Sequence, residues 1–251
     1  MNLKNNSILI TGGSTGIGLA LAERFLTLGN EVIICGRSED KLNAAKERFP
    51  KLHTKRCDVG NEKERTELAE WVLAEFPNFN VLVNNAGIQQ RINFNESGFD
   101  WHQIKQEIAI NLEAPIHFSK MFIPHLLAKN NSCIINVSSG LAFLPPVMAP
   151  VYGATKAGLH SFTFCLRQKL DGTSMQVIEI VPPAVATDLG GAGQHAAGVD
   201  LNEYADAVFV GLEKGDLEIG YGMSLGFLAP DVTRNALEQR AAQFWKQMSK
   251  Q

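Results

Sequence analysis

Residues 7–18 read Ser-Ile-Leu-Ile-Thr-Gly-Gly-Ser-Thr-Gly-Ile-Gly, a short apolar run followed directly by a glycine-rich turn. The run predicts a buried β-strand, and the apolar side chains that recur at helical spacing from Ile17 to Leu28 predict a helix after the turn. A strand, a glycine turn and a helix in this order present free backbone N–H groups and a positive helix end to an anion. The segment therefore predicts a pyrophosphate-binding loop at the start of an α/β domain.

Short apolar runs alternate with longer amphipathic segments along the rest of the chain, as in βαβ units with a parallel sheet. The predicted strands are Ser7–Ile10, Glu31–Cys35, Leu52–Arg56, Val81–Val83, Cys133–Val137 and Gln176–Val181. No repeat or low-complexity linker divides the 251 residues. We therefore expect one α/β domain over residues 1–251, a Rossmann-like, doubly wound parallel sheet with helices on both faces.

The composition disfavours several classes of function. Lysine and arginine total 23 against 26 aspartates and glutamates, a net charge of −3 that offers no electrostatic footprint for nucleic acid. The N-terminus lacks the apolar core of a signal peptide, and Pro145, Pro146 and Pro150 oppose a spanning helix in the uncharged stretch 130–155. We expect a protein that binds neither nucleic acid nor membrane.

The cysteines and histidines lack the spacing of a disulfide framework or a metal site. No C-x-x-C pair occurs, and the four cysteines lie inside apolar runs, so we predict buried, unpaired thiols and a reducing, cytoplasmic setting. They are Cys35, Cys57, Cys133 and Cys165. The six histidines form neither H-E-x-x-H nor a Cys/His ligand pattern, so no metal site is expected.

The glycine loop has the spacing G-x-x-x-G-x-G. Gly12 is expected to permit the tight turn, Gly16 to let the backbone approach the anion, and Gly18 to let the helix pack closely. The other loop residues predicted to bind the cofactor are Ser14, Thr15 and Ile17.

The end of the second strand bears on the choice of cofactor. Gly36 occupies the position where NAD-binding folds place an acidic residue for the ribose 2′-hydroxyl. No carboxylate repels a phosphate there, and the planar guanidinium of Arg37 suits a 2′-phosphate. We predict NADP(H) as the preferred cofactor, with NAD(H) as the second choice. The alternative for Arg37 is a surface residue before a helix capped by Ser38.

Tyr152 and Lys156 stand four residues apart at the start of a predicted helix over 152–170, so their side chains share one face. An ammonium group beside a phenol favours the phenolate and lowers its pKa toward the range useful for proton transfer. Alone, such a pair is usually two exposed helix residues. The polar segment 136–140, however, follows a buried strand at the sheet edge where doubly wound folds bind ligands.

From the glycine loop to Thr187, about three-quarters of the chain, the sequence resembles the short-chain dehydrogenase/reductase family. Residues 11–18 match its T-G-x-x-x-G-x-G, residues 84–87 its N-N-A-G, and residues 152–156 its Y-x-x-x-K. Ser139 lies thirteen residues before the tyrosine, as the family's serine does.

The resemblance implies a catalytic tetrad of Asn111, Ser139, Tyr152 and Lys156. Tyr152 would exchange a proton with the substrate oxygen as general acid or base, while Ser139 would hydrogen-bond the same oxygen. Lys156 would hold the nicotinamide ribose and lower the tyrosine pKa. Asn111 would fix a water that links the lysine to solvent.

The resemblance also implies the rest of the cofactor site, in which Pro182, Val185 and Thr187 would meet the nicotinamide carboxamide. Pro183 replaces the family's glycine in that segment, so the local backbone must either differ from the usual one or not depend on that glycine. The remaining residues assigned to the cofactor are Asp58 and Val59 for the adenine, and Asn85, Ala86 and Gly87 after the fourth strand.

The last third of the chain contains a substrate lid region at 188–215 and an amphipathic helix at 229–249 in our prediction. The helix is expected to pack on the domain or on a second subunit, with a membrane-surface role as the less favoured alternative. The segment 218–222 stands where many relatives build part of a tetramer interface. Here the chain resembles a bacterial branch, the DltE-like oxidoreductases.

These features predict an NADP-preferring oxidoreductase acting on a carbonyl or secondary alcohol. We expect a homodimer through helices carrying Met121 and Phe162, with a tetramer as the alternative. A small or moderately apolar substrate is expected from four side chains between the serine and the tyrosine, Phe143, Leu144, Val147 and Met148. One rival is an NADP(H) sensor without turnover; another is a sugar-nucleotide epimerase or dehydratase, which needs more chain.

Overall fold

The computed structural model describes residues 1–92 and 100–229, together with 232, 233, 235–237, 239 and 243. A parallel sheet forms its centre. The strands are β1 (Ser7–Thr11), β2 (Glu31–Gly36), β3 (His53–Arg56), β4 (Phe79–Asn84), β5 (Cys133–Val137), β6 (Gln176–Val181) and β7 (Glu218–Gly220). They lie in the order β3-β2-β1-β4-β5-β6-β7, so the chain reverses direction across the sheet between β1 and β4. That reversal is where a doubly wound fold opens a crevice for ligands.

Helices cover both faces of this sheet. They are α1 (Gly16–Thr27), α2 (Glu39–Arg48), α3 (Glu62–Glu75), α4 (Trp101–Ile108), α5 (Ala114–Leu127), α6 (Pro150–Lys169) and α7 (Leu201–Lys214). One apolar core joins the sheet to α1, α2 and α7, and a second joins it to α3, α5 and α6. With both faces covered, β1, β4 and β5 are buried along their whole length. The predicted fold class is confirmed.

Most helix starts are fixed by a capping side chain. Ser38, Asn61, Asp100 and Asp200 each accept a hydrogen bond from a backbone N–H in the first turn of the helix that follows. The start of α1 differs, because Thr15 makes no side-chain cap. The first N–H groups of α1 therefore have no side-chain partner at the loop predicted to bind a pyrophosphate.

The strand predictions hold at β5 and β6, whose bounds agree, and are short by one to three residues at β1, β2 and β4. Leu52, predicted as part of β3, instead closes a turn by donating its N–H to the Phe49 oxygen. The strand β7 was not predicted. It has only three residues, too few to show a period, and Ile219 packs closely against Gly211 of α7.

One cysteine prediction is wrong. Cys35, Cys57 and Cys133 are buried, but Cys165 is exposed. Its run of apolar neighbours lies on α6, where helical periodicity turns positions 164 and 165 toward solvent, and Phe164 is itself half exposed.

The predicted lid region contains regular structure. Within 188–215, residues Leu201–Lys214 form α7, which packs on α1. Arg24 of α1 forms an ion pair with Asp206 of α7. Only the part before Leu201 is irregular. Of the predicted helix over 229–249, the structure describes only 229, 232, 233, 235–237, 239 and 243, and the other positions lie outside the described residues. Among the helices that the structure describes, none has the length and apolar character needed to cross a bilayer.

Candidate active site

A cavity of about 1120 Å³ opens over the carboxyl ends of β1, β4, β5 and β6. Almost every residue predicted for cofactor binding or catalysis lines it. These are Gly12, Ser14, Thr15, Gly16, Ile17, Arg37, Asp58, Val59, Asn85, Ala86, Gly87, Ser139, Tyr152, Lys156, Pro182, Val185 and Thr187. The other two, Gly18 and Asn111, are not among its lining residues.

The glycine loop packs tightly against the segment that follows β4. Gly12 has a φ of +64°, and a Cβ there would lie 2.8 Å from the Ala86 Cα. A Cβ on Gly18 would lie 2.5 Å from both the Asn85 amide nitrogen and the Gly12 oxygen. A side chain at either position would force the two segments apart. The sequence predicted that Gly18 lets the helix pack close to the strand, whereas the structure places Gly18 against Asn85 and Gly12 of the neighbouring loops.

Thr11, at the end of β1, is the first residue of the glycine motif, but its structural role was not predicted from the sequence. Its hydroxyl accepts hydrogen bonds from the backbone N–H groups of Asn85 and Ala86, both at 3.0 Å. The Asn85 side chain donates in return to the main-chain oxygens of Thr11 and Gly12, at 2.9 and 3.2 Å. These bonds fix the carboxyl ends of β1 and β4 side by side, as a dinucleotide spanning both would require.

One end of the cavity is basic. A Cβ on Gly36 would lie 3.1 Å from the Ser14 hydroxyl oxygen, so a larger residue has little room beside the loop. Arg37 and Lys41 both line this end. Lys41 was missed in the sequence because it lies in the first turn of α2, where it looks like an ordinary exposed helix residue. The two cations sit where the 2′-phosphate was predicted.

Tyr152 is almost completely buried on the first turn of α6. Burial raises the pKa of its hydroxyl to about 12, a hydrogen bond with Ser139 acts in the opposite direction, and the charge of Glu107 adds to the rise. The sequence predicted a lowered tyrosine pKa, which is wrong in direction for this structure. Burial outweighs any attraction from Lys156, whose ammonium lies 5.8 Å from the ring centroid.

Lys156 lies one helical turn further along α6 and is also buried. Its Nζ donates a hydrogen bond of 2.8 Å to the main-chain oxygen of Val137, at the end of β5. Burial lowers the pKa of Lys156 to about 8, while the charges of Glu179 and Glu107 raise it. An amine with this pKa exchanges protons close to neutral pH.

Asn111 is fully buried at the middle of a π-helical turn, Ala109–Glu113, between α4 and α5. Its side chain bonds the main chain of Ile88 and the hydroxyl of Thr155, and a Cβ on Gly87 would approach both its Oδ1 and the Lys156 Nζ. The structure therefore brings the four residues of the predicted tetrad into one region, around the carboxyl ends of β4 and β5. Irregular turns within helices are frequent at functional sites.

Ser139 begins a short 3₁₀ turn, Gly140–Ala142, and its hydroxyl accepts a hydrogen bond from the Leu141 N–H at 3.1 Å. The Gly140 N–H donates to the Pro182 oxygen at 2.8 Å, which joins this turn to the segment after β6. The hydroxyl is held in a defined position while it remains able to donate to Tyr152 or to a substrate oxygen.

The segment after β6 folds back on itself. Val185 pairs with Val199 in an isolated bridge, and a Cβ on Gly198 would lie 2.7 Å from the Val185 carbonyl carbon. This bridge closes the base of the irregular loop 188–198. Thr187 comes within 3.5 Å of the point where a Cβ on Gly16 would lie, so it borders the glycine loop.

Of the four side chains predicted to form an apolar wall of the substrate pocket, two line the cavity and two do not. Leu144 and Met148 line the cavity, together with Leu141, Pro146 and Phe227. Phe143 instead packs its ring against His160, with centroids 4.5 Å apart, and Val147 is 72% exposed. A short turn between the serine and the tyrosine cannot aim all its side chains to one side.

Two further polar residues reach the rim of the cavity. The amide oxygen of Gln89 lies 3.0 Å from His195 Nε2, which ties the segment after β4 to the irregular loop. Burial lowers the pKa of His195, and the charge of Arg91 lowers it further. His195 is thus a partly buried ring whose pKa lies below its ordinary value. No group of three or more metal-ligating side chains occurs among the described residues.

Glu107 is the residue of this region that the sequence did not reveal. It lies on α4, one turn before Asn111, and has no exposed surface. Its Oε1 accepts a hydrogen bond of 3.1 Å from the Gln90 N–H. Burial raises the pKa of this carboxyl to about 7, against smaller opposing effects of the Gln90 N–H and Lys156. A glutamate on an amphipathic helix ordinarily faces solvent, so no pattern identified it.

The chain is similar in sequence to known oxidoreductases. It is 50% identical over 224 residues to an uncharacterized oxidoreductase, DltE, of Bacillus subtilis strain 168, a match that covers 87% of this chain and 89% of that protein. It is 32% identical over 181 residues to the NADP-dependent 3-hydroxy acid dehydrogenase YdfG of Escherichia coli K12, covering 71% and 72% of the two chains.

The fold is similar to that of solved structures. A short-chain dehydrogenase from Sphingobium yanoikuyae in complex with NADPH superposes with a TM-score of 0.79 at 24% identity, covering 97% of this chain and 95% of that one. The family model for short chain dehydrogenases matches residues 6–197, the part that contains the glycine loop and the tetrad. By sequence and by structure, the chain belongs to the short-chain dehydrogenase family of oxidoreductases.

Proposed function

We propose that the protein transfers a hydride between NADP(H) and a carbonyl or secondary alcohol substrate, with Tyr152 as general acid and base. The observation that carries this proposal is that Tyr152 and Ser139 line one cavity whose far end is the glycine loop. A hydroxyl pair of this kind can bind one substrate oxygen from two sides. The cavity is large enough to hold a dinucleotide and a small substrate together.

The chain's own residues would handle the proton. The cofactor, when bound, supplies or accepts the hydride at the substrate carbon. In the direction of reduction, the neutral Tyr152 hydroxyl donates its proton to the carbonyl oxygen while Ser139 hydrogen-bonds that oxygen. Burial keeps Tyr152 protonated at neutral pH, which suits a general acid. Lys156 would return a proton to the tyrosine, and Asn111 would hold the relay in place.

The preference for NADP(H) rests on the basic end of the cavity. Arg37 and Lys41 border it, and Gly36 supplies no carboxylate to repel a 2′-phosphate. The Escherichia coli relative is described as NADP-dependent, and the Sphingobium structure contains NADPH. NAD(H), which lacks the 2′-phosphate, would occupy the same cradle more weakly.

The substrate would lie between the Tyr152 hydroxyl and an apolar wall formed by Leu141, Leu144 and Met148. This wall favours a small or moderately apolar chain on the carbonyl carbon. Since the Escherichia coli relative acts on 3-hydroxy acids, we include 3-oxo acids and 3-hydroxy acids among the candidate substrates.

We also propose a mobile cover and a dimer. The irregular loop 188–198, with three glycines at positive φ, would close over bound substrate as a lid.

A cytoplasmic homodimer would form through α5 and α6, where Ile116 and Phe164 are exposed apolar side chains. Met121 and Phe162, named for this role from the sequence, are largely packed against the protein's own core. A tetramer remains the alternative.

The test is NADPH oxidation, followed by absorbance, over a panel of ketones, aldehydes, quinones, keto sugars and 3-oxo acids. The wild-type protein should reduce at least one of these compounds. The Tyr152→Phe variant should bind NADPH but reduce none of them. Tyr204→Phe is the matched control, because it removes another buried tyrosine hydroxyl, on a residue of α7 that does not line the cavity. Tight NADPH binding without turnover across the panel would favour the sensor alternative, and turnover that survives in Tyr152→Phe would contradict the mechanism.

A further inference from the structure

The carboxyl group of Glu107 is buried and incompletely paired. It has no exposed surface, and none of the ion pairs within 4.0 Å among the described residues involves it. Its Oε1 has one partner, the Gln90 N–H, whereas Oε2 is buried with no hydrogen-bond partner in the part of the chain that the structure describes. A buried carboxylate with a free oxygen is costly and calls for an explanation in function or in an unseen partner.

The position of Glu107 relates it directly to the tetrad. It precedes Asn111 by four residues, so the two side chains lie on one helix face. Asn111 binds the main chain of Ile88, and Glu107 binds the N–H of Gln90. Together they hold alternate residues of the segment 88–90. Gln89, between them, lines the cavity and contacts His195.

The charged and titratable groups that face Glu107 come from α6. Lys156 attracts its carboxylate, and the carboxylate in turn opposes ionisation of Tyr152. A second buried acid, Glu179 on β6, also raises the pKa of Lys156, and more strongly than Glu107 does. Its Oε2 accepts a hydrogen bond from His160 at 2.8 Å, and its Oε1, like Oε2 of Glu107, is buried with no hydrogen-bond partner among the described residues. Two buried carboxyl groups thus act on Lys156, and of these Glu107 is the one that also binds the segment 88–90 beside the tetrad.

We propose that Glu107 is a positioning residue of this active site, whose buried carboxylate keeps Lys156 in its ammonium form and fixes the segment 88–90 beside it. The proposal rests on the proposed function, because it assigns Glu107 to the proton relay of that reaction. It gives the unpartnered oxygen a role, since a neutral side chain could accept the Gln90 hydrogen bond equally well. Only a carboxylate supplies the charge.

Removal of the charge is tested with Glu107→Gln, which keeps an oxygen to accept the Gln90 N–H. The readout is the titration of lysine ε-carbons by NMR in protein labelled with [ε-13C]lysine, with Lys156 assigned by Lys156→Arg. In wild type the Lys156 signal should titrate near pH 8, apart from the surface lysines. In Glu107→Gln it should titrate about one pH unit lower, a tenfold loss of proton affinity. An unchanged titration would overturn the proposal.

The matched control is Glu67→Gln. Glu67 is exposed on α3 in a weak pair with Lys63, so this variant should leave the Lys156 titration at its wild-type pH. If Glu107→Gln does not fold, the wild-type protein still tests whether Glu107 and Lys156 interact. Its Lys156 signal should show a second, smaller inflection at the pH where the Glu107 carboxyl carbon titrates in glutamate-labelled protein. A single inflection would overturn the pairing.

Activity provides the second readout. The alkaline limb of kcat/KM for NADPH-dependent reduction should move to lower pH in Glu107→Gln, by the same interval as the NMR titration. If the NMR shift occurs and no carbonyl compound is reduced, the pairing of Glu107 with Lys156 is supported and the proposed function fails. If wild type turns over but Glu107→Gln leaves both the limb and the NMR titration unmoved, the proposed function stands and the role of Glu107 is refuted.

Discussion

The Asn111 side chain binds Ile88 through both of its polar atoms: Oδ1 accepts the Ile88 N–H at 2.9 Å, and Nδ2 donates to the Ile88 oxygen at 2.8 Å. The same Nδ2 reaches the Thr155 hydroxyl oxygen at 3.2 Å. Ile88 follows the segment that contacts the glycine loop, and Thr155 immediately precedes Lys156. One buried amide thus connects the cofactor side of the site to the helix that carries the tyrosine and the lysine.

Asn111→Ala should therefore destabilise the fold as well as the site. The change leaves the main-chain groups of Ile88 buried without their partner, which should lower the free energy of unfolding by on the order of 3 kcal/mol. Urea denaturation measures the loss. Asn43→Ala is the control, because Asn43 is exposed on α2 and should change stability little. Equal urea midpoints for Asn111→Ala and wild type would contradict the structural role.

Arg37→Ala should weaken NADPH binding and leave NADH binding nearly unchanged. A hydrogen bond to a charged group contributes about 1.5–3 kcal/mol, so the NADPH dissociation constant should rise roughly ten- to a hundredfold. Isothermal titration calorimetry with each cofactor provides the comparison. Lys51→Ala removes an exposed cation that does not line the cavity and serves as control. A parallel loss for both cofactors would show that Arg37 does not read the 2′-phosphate.

The sequence predicted the parts of the fold in which local pattern and tertiary environment agree. Strand β5 lies between Ser132 and Ser138, and β6 begins at Gln176 and ends before Pro182, so residues that interrupt an apolar run marked their bounds correctly. The glycine loop and Tyr152 were also identified, because parallel strands bring their carboxyl ends to one edge and motif residues there must converge.

The rest depends on contacts between distant segments. The burial of Glu107 arises from packing of α4 against the segment 88–90 and α6, which no spacing within α4 reveals. The raised pKa of Tyr152 has the same origin, because it results from burial. The spacing in the sequence predicts that Tyr152 lies near Lys156, but it does not predict that the tyrosine is removed from water. Lys41 was missed because it looks like an ordinary exposed helix residue, and the strand β7 was missed because three residues are too few to show a period.

Tyr204→Phe should stabilise the protein. The Tyr204 hydroxyl is buried on α7 and has no hydrogen-bond partner among the described residues, and burial raises its pKa well above the ordinary value. Removing an unsatisfied hydroxyl while keeping the ring should raise the free energy of unfolding by about 1 kcal/mol. Thermal unfolding measures the change. The control Tyr221→Phe removes a hydroxyl that donates to Glu203, so it should bring no gain. A lower melting temperature for Tyr204→Phe would reveal a partner for that hydroxyl.

The pH dependence of stability provides a test of Glu107 that requires neither cofactor nor substrate. Burial raises its pKa from the ordinary value of 4.5 to about 7, so between these values the folded protein holds a proton that the unfolded chain has released. The contribution of Glu107 to stability therefore falls as pH rises through this interval, and its loss is complete above about pH 7. A shift of this size corresponds to about 3 kcal/mol.

Glu107→Gln should remove that dependence, because an amide does not titrate. Urea denaturation of both proteins from pH 4.5 to 7.5 should show the variant gaining on wild type by about 3 kcal/mol across the interval, on top of a constant offset from the buried amide. The interval ends below pH 8, where Lys156 begins to release its own proton. Glu67→Gln should follow the wild-type curve, since that carboxylate is exposed. Parallel curves for Glu107→Gln and wild type would mean that Glu107 is ionised in the folded protein throughout, and that the buried carboxyl is better solvated than its surroundings indicate.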